Sequence, residues 1–380
     1  SGVLGGETRG AVPWTEAGAA AWALPVAYRP GSDLWPDWPA TGAGWVANDV
    51  STWFDGEGRF RFADSPAPEL SAETQCFGCH ATGYSLDEVG DGSVAMASSE
   101  GDGRWLEAGV GCERCHGAGS EHVAASDDQA PYTIVNPARL DAEAANDVCA
   151  QCHAGLDGGG NTPYAWNADA GSFAAGMRLA DFAPLLASSW PAGAADRPSQ
   201  QANELATSAH GGGDWTARCT DCHGGHQAGG ERPAGVPLDA RDNTLCAACH
   251  LALSFDDDEQ AMAGHGGHPA YVPGSDTAAG RCTGCHMPTT ATRTGWNDAS
   301  GGGDLQSHAL LPVAPAFSLA DFDALGAAAL PAGSFTPNAC GTCHAYNAWL
   351  FDGSFPGPTG DLGLRETHAA LDAAYQGLFP

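Results

Sequence analysis

Every cysteine in this 380-residue chain belongs to a Cys-x-x-Cys-His motif, and the motif occurs seven times. Motif one is Cys76, Cys79 and His80; motif two is Cys112, Cys115 and His116; motif three is Cys149, Cys152 and His153. Motif four is Cys219, Cys222 and His223; motif five is Cys246, Cys249 and His250. Motif six is Cys282, Cys285 and His286, and motif seven is Cys340, Cys343 and His344. This spacing is the attachment signature of a c-type haem. Two thiols add to the vinyl groups of one porphyrin, and the adjacent imidazole becomes an axial ligand of its iron. Structural zinc takes two Cys-x-x-Cys pairs per metal and needs no His behind them. Seven pairs is an odd number, and all seven have that His. A disulfide framework would not impose one uniform spacing. The sequence therefore predicts seven covalently attached haems.

That load decides the fold class. A compact chain of this length has a radius of gyration of roughly 21 Å, so seven porphyrins inside it are necessarily close together. Much apolar burial then falls between side chain and porphyrin. With 53 Gly and 25 Pro, the expected architecture is mostly irregular with short α-helices and little β, nucleated by its haems.

The motifs divide the chain. Residues 1–75 hold no Cys and no His but six of the 12 Trp: Trp14, Trp22, Trp35, Trp38, Trp45 and Trp53. This is read as a haem-free, irregular wrap, with Trp35 to Pro39 as its aromatic centre and Arg59 to Phe62 as a short strand. It packs over the first haems or meets another subunit, since Trp is favoured at contact hot spots. Residues 76–160 form a first haem module with motifs one to three. Residues 161–209 are a haem-free connection ending in a helix over Ser199 to His210. Residues 210–320 form a second module with motifs four to six, and residues 321–380 are a C-terminal extension with motif seven. Helices are also predicted over Arg139 to Cys152 and Leu364 to Leu378. In the latter, Leu364, His368, Leu371, Tyr375 and Leu378 share one face.

The chain has 14 His, and seven lie outside the motifs: His122, His210, His226, His265, His268, His308 and His368. Seven spare imidazoles match seven sixth coordination positions. A neutral imidazole is a good ligand for haem iron, and two of them leave no open face. The spare histidines are thus the candidate distal ligands, against the ordinary reading of a lone His as a satisfied polar residue. Met96, Met177, Met262 and Met287 are the weaker thioether candidates. Which His serves which iron is not legible at this level.

The formal charge is −31, from 46 acidic residues and 15 basic ones, all of them Arg. Ionised propionates would add about −14 more. Such a surface repels nucleic acid and favours basic partners or cations. Asp256 to Glu259 offers oxygen ligands that suit Ca²⁺, but no loop follows the twelve-residue calcium pattern, and a solvated acidic loop is the ordinary reading. No apolar run is long enough for a transmembrane segment. Haem is attached to this motif outside the cytoplasm, so an exported, periplasmic or extracellular chain is expected, with Ser1 as a mature terminus.

Several segments resemble the multihaem c-type cytochromes of the doubled Cys-x-x-Cys-His family. Gly109 to Val123, with motif two followed by His122, is the most specific. Motif four with His226, Gly264 to His268, motif six with Met287-Pro288 and Ser307-His308, and Asn338 to Trp349 extend the likeness over roughly residues 70 to 350. The resemblance implies a multihaem cytochrome c architecture, distal-ligand roles for the spare His and transfer of electrons to other redox proteins. The Trp-rich start and the absence of a tetratricopeptide array depart from it. A looser similarity to extracellular cytochrome filaments implies a homopolymer joined through haem contacts.

Two function classes follow. One is an electron carrier without a catalytic residue, a soluble shuttle or a conductive-filament subunit. The other is an oxidoreductase like the multihaem nitrite reductases or hydroxylamine oxidoreductases. An enzyme needs an iron with an open face and acid–base groups beside it. The Lys-ligated motif variant is impossible in a chain without Lys, and the equal His counts argue for the carrier.

Overall fold

All seven motifs are built on a helical turn. The turns are Phe77–His80, Cys112–His116, the end of Ala142–His153, Cys219–Cys222, Thr244–Ala247, Cys282–His286 and Ala339–His344. Residues three apart on a helix project to one side, so helical geometry brings both thiols to one edge and sets the His beside them. A computed structural model of the chain describes residues 2–6, 10–17, 20–24, 26–29, 44–47, 54, 57–59, 76–83, 86–88, 94–96, 107–156, 166–167, 171–186, 190–212, 215–226, 243–250, 265, 268, 280–291, 305–326, 330, 333–344 and 364–378. The runs Trp35 to Pro39, Phe60 to Phe62 and Asp256 to Glu259 lie outside them. The architecture is mostly irregular, with 11 short α-helices among the described residues and little strand.

The chain forms two compact units, Ser1–Leu186 and Ala187–Pro380. The first begins with a five-stranded antiparallel sheet of Gly2–Gly6, Gly10–Ala17, Ala20–Ala23, Val26–Arg29 and Gly44–Ala47. The second strand pairs with the first, third and fourth, and the fourth pairs with the fifth. This part of the N-terminal segment is more regular than the wrap expected from its composition. Ala17 pairs with Ala20, which leaves Gly18 and Ala19 between the two strands.

The rest of the first unit is organised by the helix Ala142–His153. The Asp141 carboxylate caps it, accepting from Ala144 N–H at 2.9 Å, as N-cap chemistry favours. The helix starts later than the predicted Arg139 because Pro137–Arg139 is a separate 3₁₀ turn capped by Asn136. Its buried face is Ala144, Ala145, Val148, Ala150 and Gln151, so the two variable positions of motif three are buried while His153 stays exposed.

In the second unit, Leu364–Leu378 is helical over the predicted span. It packs against Pro315–Leu325 and Ala339–His344. Pro315 starts its helix where a missing N–H costs nothing, and Gly326 ends it at φ 60°, the left-handed conformation typical of a helix stop. Phe322 and Phe335 are fully buried, with ring centres 4.9 Å apart. His368 is fully buried against both. The helix expected over Ser199 to His210 is shorter, Gln201–Thr207. Ser208 Oγ donates to the Leu205 carbonyl at 2.8 Å, a local bond that competes with helix continuation.

Candidate haem sites

The second unit sets motif histidines and spare histidines face to face. His223 faces His308 at 6.2 Å between ring centres and 23° between planes. His286 faces His265 at 6.0 Å and 2°, and His344 faces His268 at 5.8 Å and 22°. His250 faces His210 at 5.9 Å but 62°. Each of these pairs joins one motif His to one spare His. A bond from imidazole nitrogen to a first-row metal is about 2 Å, and the ring centre lies roughly 1 Å further on, so two imidazoles on one metal stand about 6 Å apart. The residues therefore fit an iron held between each pair.

Burial favours the neutral form of four of these rings. It pulls His344 down to about 4, helped by His268 nearby. Burial also lowers His268, His286 and His210. A neutral imidazole keeps the lone pair a metal needs. Backbone carbonyls orient some rings: Leu310 O lies 3.3 Å from His286 Nδ1, and Gln306 O lies 3.2 Å from His308 Nδ1. Such partners fix tautomer and direction.

The loop carrying His308 hangs on a buried acid. Glu204 Oε2 accepts from His308 N–H at 2.8 Å, and Oε1 accepts from Ser307 Oγ at 2.6 Å and Ala195 N–H at 2.8 Å. Burial pushes Glu204 up, while these bonds oppose the rise. Asn243 ties motif five to motif six: its Nδ2 donates to Gly280 O at 2.8 Å, and its Oδ1 accepts from Cys282 N–H at 2.7 Å. Neighbouring thiols continue the series. Burial raises Cys222, with Cys246 of motif five adding to it. Cys246 shares a hydrogen bond with Cys282, which raises Cys246 and lowers Cys282. Burial raises Tyr375, with Cys340 and Cys285 adding to it. Motif five thus meets motif six, and the helices of motifs six and seven pack together.

The first unit is joined differently. Arg114, inside motif two and buried, donates to Gly78 O inside motif one. Gln151, inside motif three, donates to Arg114 O at 3.2 Å. Cys79 Sγ lies 3.9 Å from Gln151 O, and Cys152 Sγ lies 3.9 Å from Cys79 O. Each of the three motifs thus touches the other two. His116 Nδ1 lies 2.7 Å from Val135 O, and His122 Nδ1 lies 2.9 Å from Ala130 O. Gly117 ends the motif-two helix at φ 75°, a conformation glycine adopts without strain.

The remaining spare histidines are placed less openly. His226 is exposed three residues beyond motif four. His368 lies over motif seven, with Nδ1 3.0 Å from Asn338 Nδ2, while Asn338 Oδ1 accepts from Gly341 N–H at 2.6 Å. No disulfide joins any of the 13 cysteines whose side chains are described. Met177 Sδ accepts from Ala174 N–H at 3.3 Å. Among the described residues no group of three or more His, Cys, Asp or Glu is placed to hold a metal ion, and no helix is long and apolar enough to cross a membrane. Sequence reasoning missed Arg114, Gln151, Asn243, Glu204 and Asn338. The first two carried a signal, since long polar side chains inside a motif need partners once buried.

The family model for cytochrome c554 and c-prime matches residues 55–117, the stretch with motifs one and two. The match supports a haem-bearing electron-transfer protein of c type. No curated protein and no solved structure matches the chain.

Proposed function

We propose that the chain is a heptahaem c-type cytochrome that carries electrons through closely spaced, mainly bis-His haems in a periplasmic or extracellular setting. Haem, when bound, supplies a one-electron iron couple that changes oxidation state with little rearrangement under two imidazoles. The protein's part is to attach, orient and insulate. The fourteen cysteines attach. The motif histidines supply the proximal ligands, and in the second unit His308, His210, His265 and His268 supply the distal ones to motifs four, five, six and seven. The observation that carries this reading is the one-to-one facing of motif and spare imidazoles at 5.8–6.2 Å.

The neighbouring motifs supply the second requirement of a carrier, adjacent redox centres. Electrons then leave to other redox proteins, and the acidic surface favours basic ones. The test is mass spectrometry of the secreted chain with electron paramagnetic resonance of its oxidised form. Seven covalent haems and low-spin signals are expected, and His308→Ala converts one haem to high spin. A smaller haem count, or a His308→Ala spectrum identical to the parent's, would overturn the assignment.

A further inference from the structure

The pair at motif five differs from the other three. Their planes lie within 2–23° of parallel, whereas His210 and His250 cross at 62°. The support of the ring differs as well. His308 and His122 each set Nδ1 against a backbone carbonyl. His210 Nδ1 is buried within a half-buried ring and has no protein hydrogen-bond partner.

The backbone of His210, by contrast, is well held. Its N–H donates to Ser208 Oγ at 3.1 Å, and its carbonyl accepts from Ala217 N–H at 2.8 Å. Gly211 packs so closely on the Leu205 carbonyl and Ala206 that a Cβ would collide there. The ring therefore has a fixed root and an unbraced tip. Its flank is the edge of Trp215, which is exposed, at 6.4 Å. An acceptor on Nδ1–H raises the basicity of the ligating nitrogen and fixes ring orientation. Without one, His210 is the poorer donor, and its neighbour Trp215 is exposed.

We propose that His210 is the exchangeable ligand among the four pairs of the second unit, yielding its place at motif five to a small neutral π-acceptor of the carbon monoxide class once the iron is reduced. The exchange is redox-neutral: the bond to the imidazole nitrogen breaks as the bond to the incoming ligand forms. This inference rests on the pairing of His210 with His250 proposed above. It also makes motif five the highest-potential site of the second unit, because a weaker donor favours the ferrous state.

The test uses the haem-loaded full chain with carbon monoxide as the probe. The reduced parent takes up one equivalent slowly, at the rate of imidazole release. His210→Ala takes up that same single equivalent at once. Oxidised His210→Ala loses the large-gmax resonance that crossed imidazole planes produce and gains one high-spin signal. His210→Met keeps six ligands, so it controls for folding and moves that resonance alone. A parent that binds no carbon monoxide, or a His210→Ala protein that binds a second equivalent, overturns the exchange. Loss of a rhombic, parallel-plane resonance instead overturns it too. A His210→Ala protein with no new high-spin signal overturns the pairing itself.

Discussion

The two units use the same five-residue motif and hold it by different means. In Ser1–Leu186 the motifs bind one another: Arg114 reaches from motif two to motif one, and Gln151 from motif three to motif two. In Ala187–Pro380 most of the positioning is done by imidazoles and by the loops that carry them, as Glu204 carries His308. The inventory follows the same division. The first unit has three motifs and one spare His, His122, while the second has four motifs and six. On the proposed reading, the motif specifies attachment only. The surroundings of each iron come from residues outside it or from the two variable positions within it.

Three substitutions would sharpen or break that contrast. The largest effect is expected from Phe322→Ala, which empties a fully buried site beside Phe335 and His368. A loss of about 3–5 kcal/mol is expected from such a truncation, read as an early urea transition of the second unit with the first unchanged. A single shared transition would show that the units do not unfold separately. Arg114→Met comes next. It leaves the Gly78 carbonyl without its buried donor, for about 1.5–3 kcal/mol, and should lower first-unit stability and haem loading at motif one. Equal loss in both units would break the contrast. The smallest effect is expected from Glu204→Gln, which sets an amide N–H against the donors that hold the His308 loop, for about 1 kcal/mol. Its signature is a shifted low-spin resonance at motif four, and an unmoved spectrum would remove Glu204 from the positioning of His308.

The motifs were legible in the sequence because their chemistry is local. Two thiols and an imidazole within five residues need only one helical turn. The helices at Leu364–Leu378 and Ala142–His153 were legible too, from periodicity and from helix formers. The N-terminal sheet was not, because Gly and Pro interrupt its strands and keep any alternating run short. The facing of His308 with His223 was hidden for another reason. His308 follows motif six in sequence yet meets motif four, a tertiary outcome set by Glu204, which lies 104 residues from it. His210 likewise precedes motif four but meets motif five.

His265 and His268 have a consequence for distance rather than for orientation. One faces motif six and the other motif seven, and only two residues separate them in the chain. Three peptide steps span at most about 11 Å even when fully drawn out. The covalent chain therefore sets a ceiling on how far those two centres can part. Side-chain packing could loosen around them and the leash would still keep them neighbours.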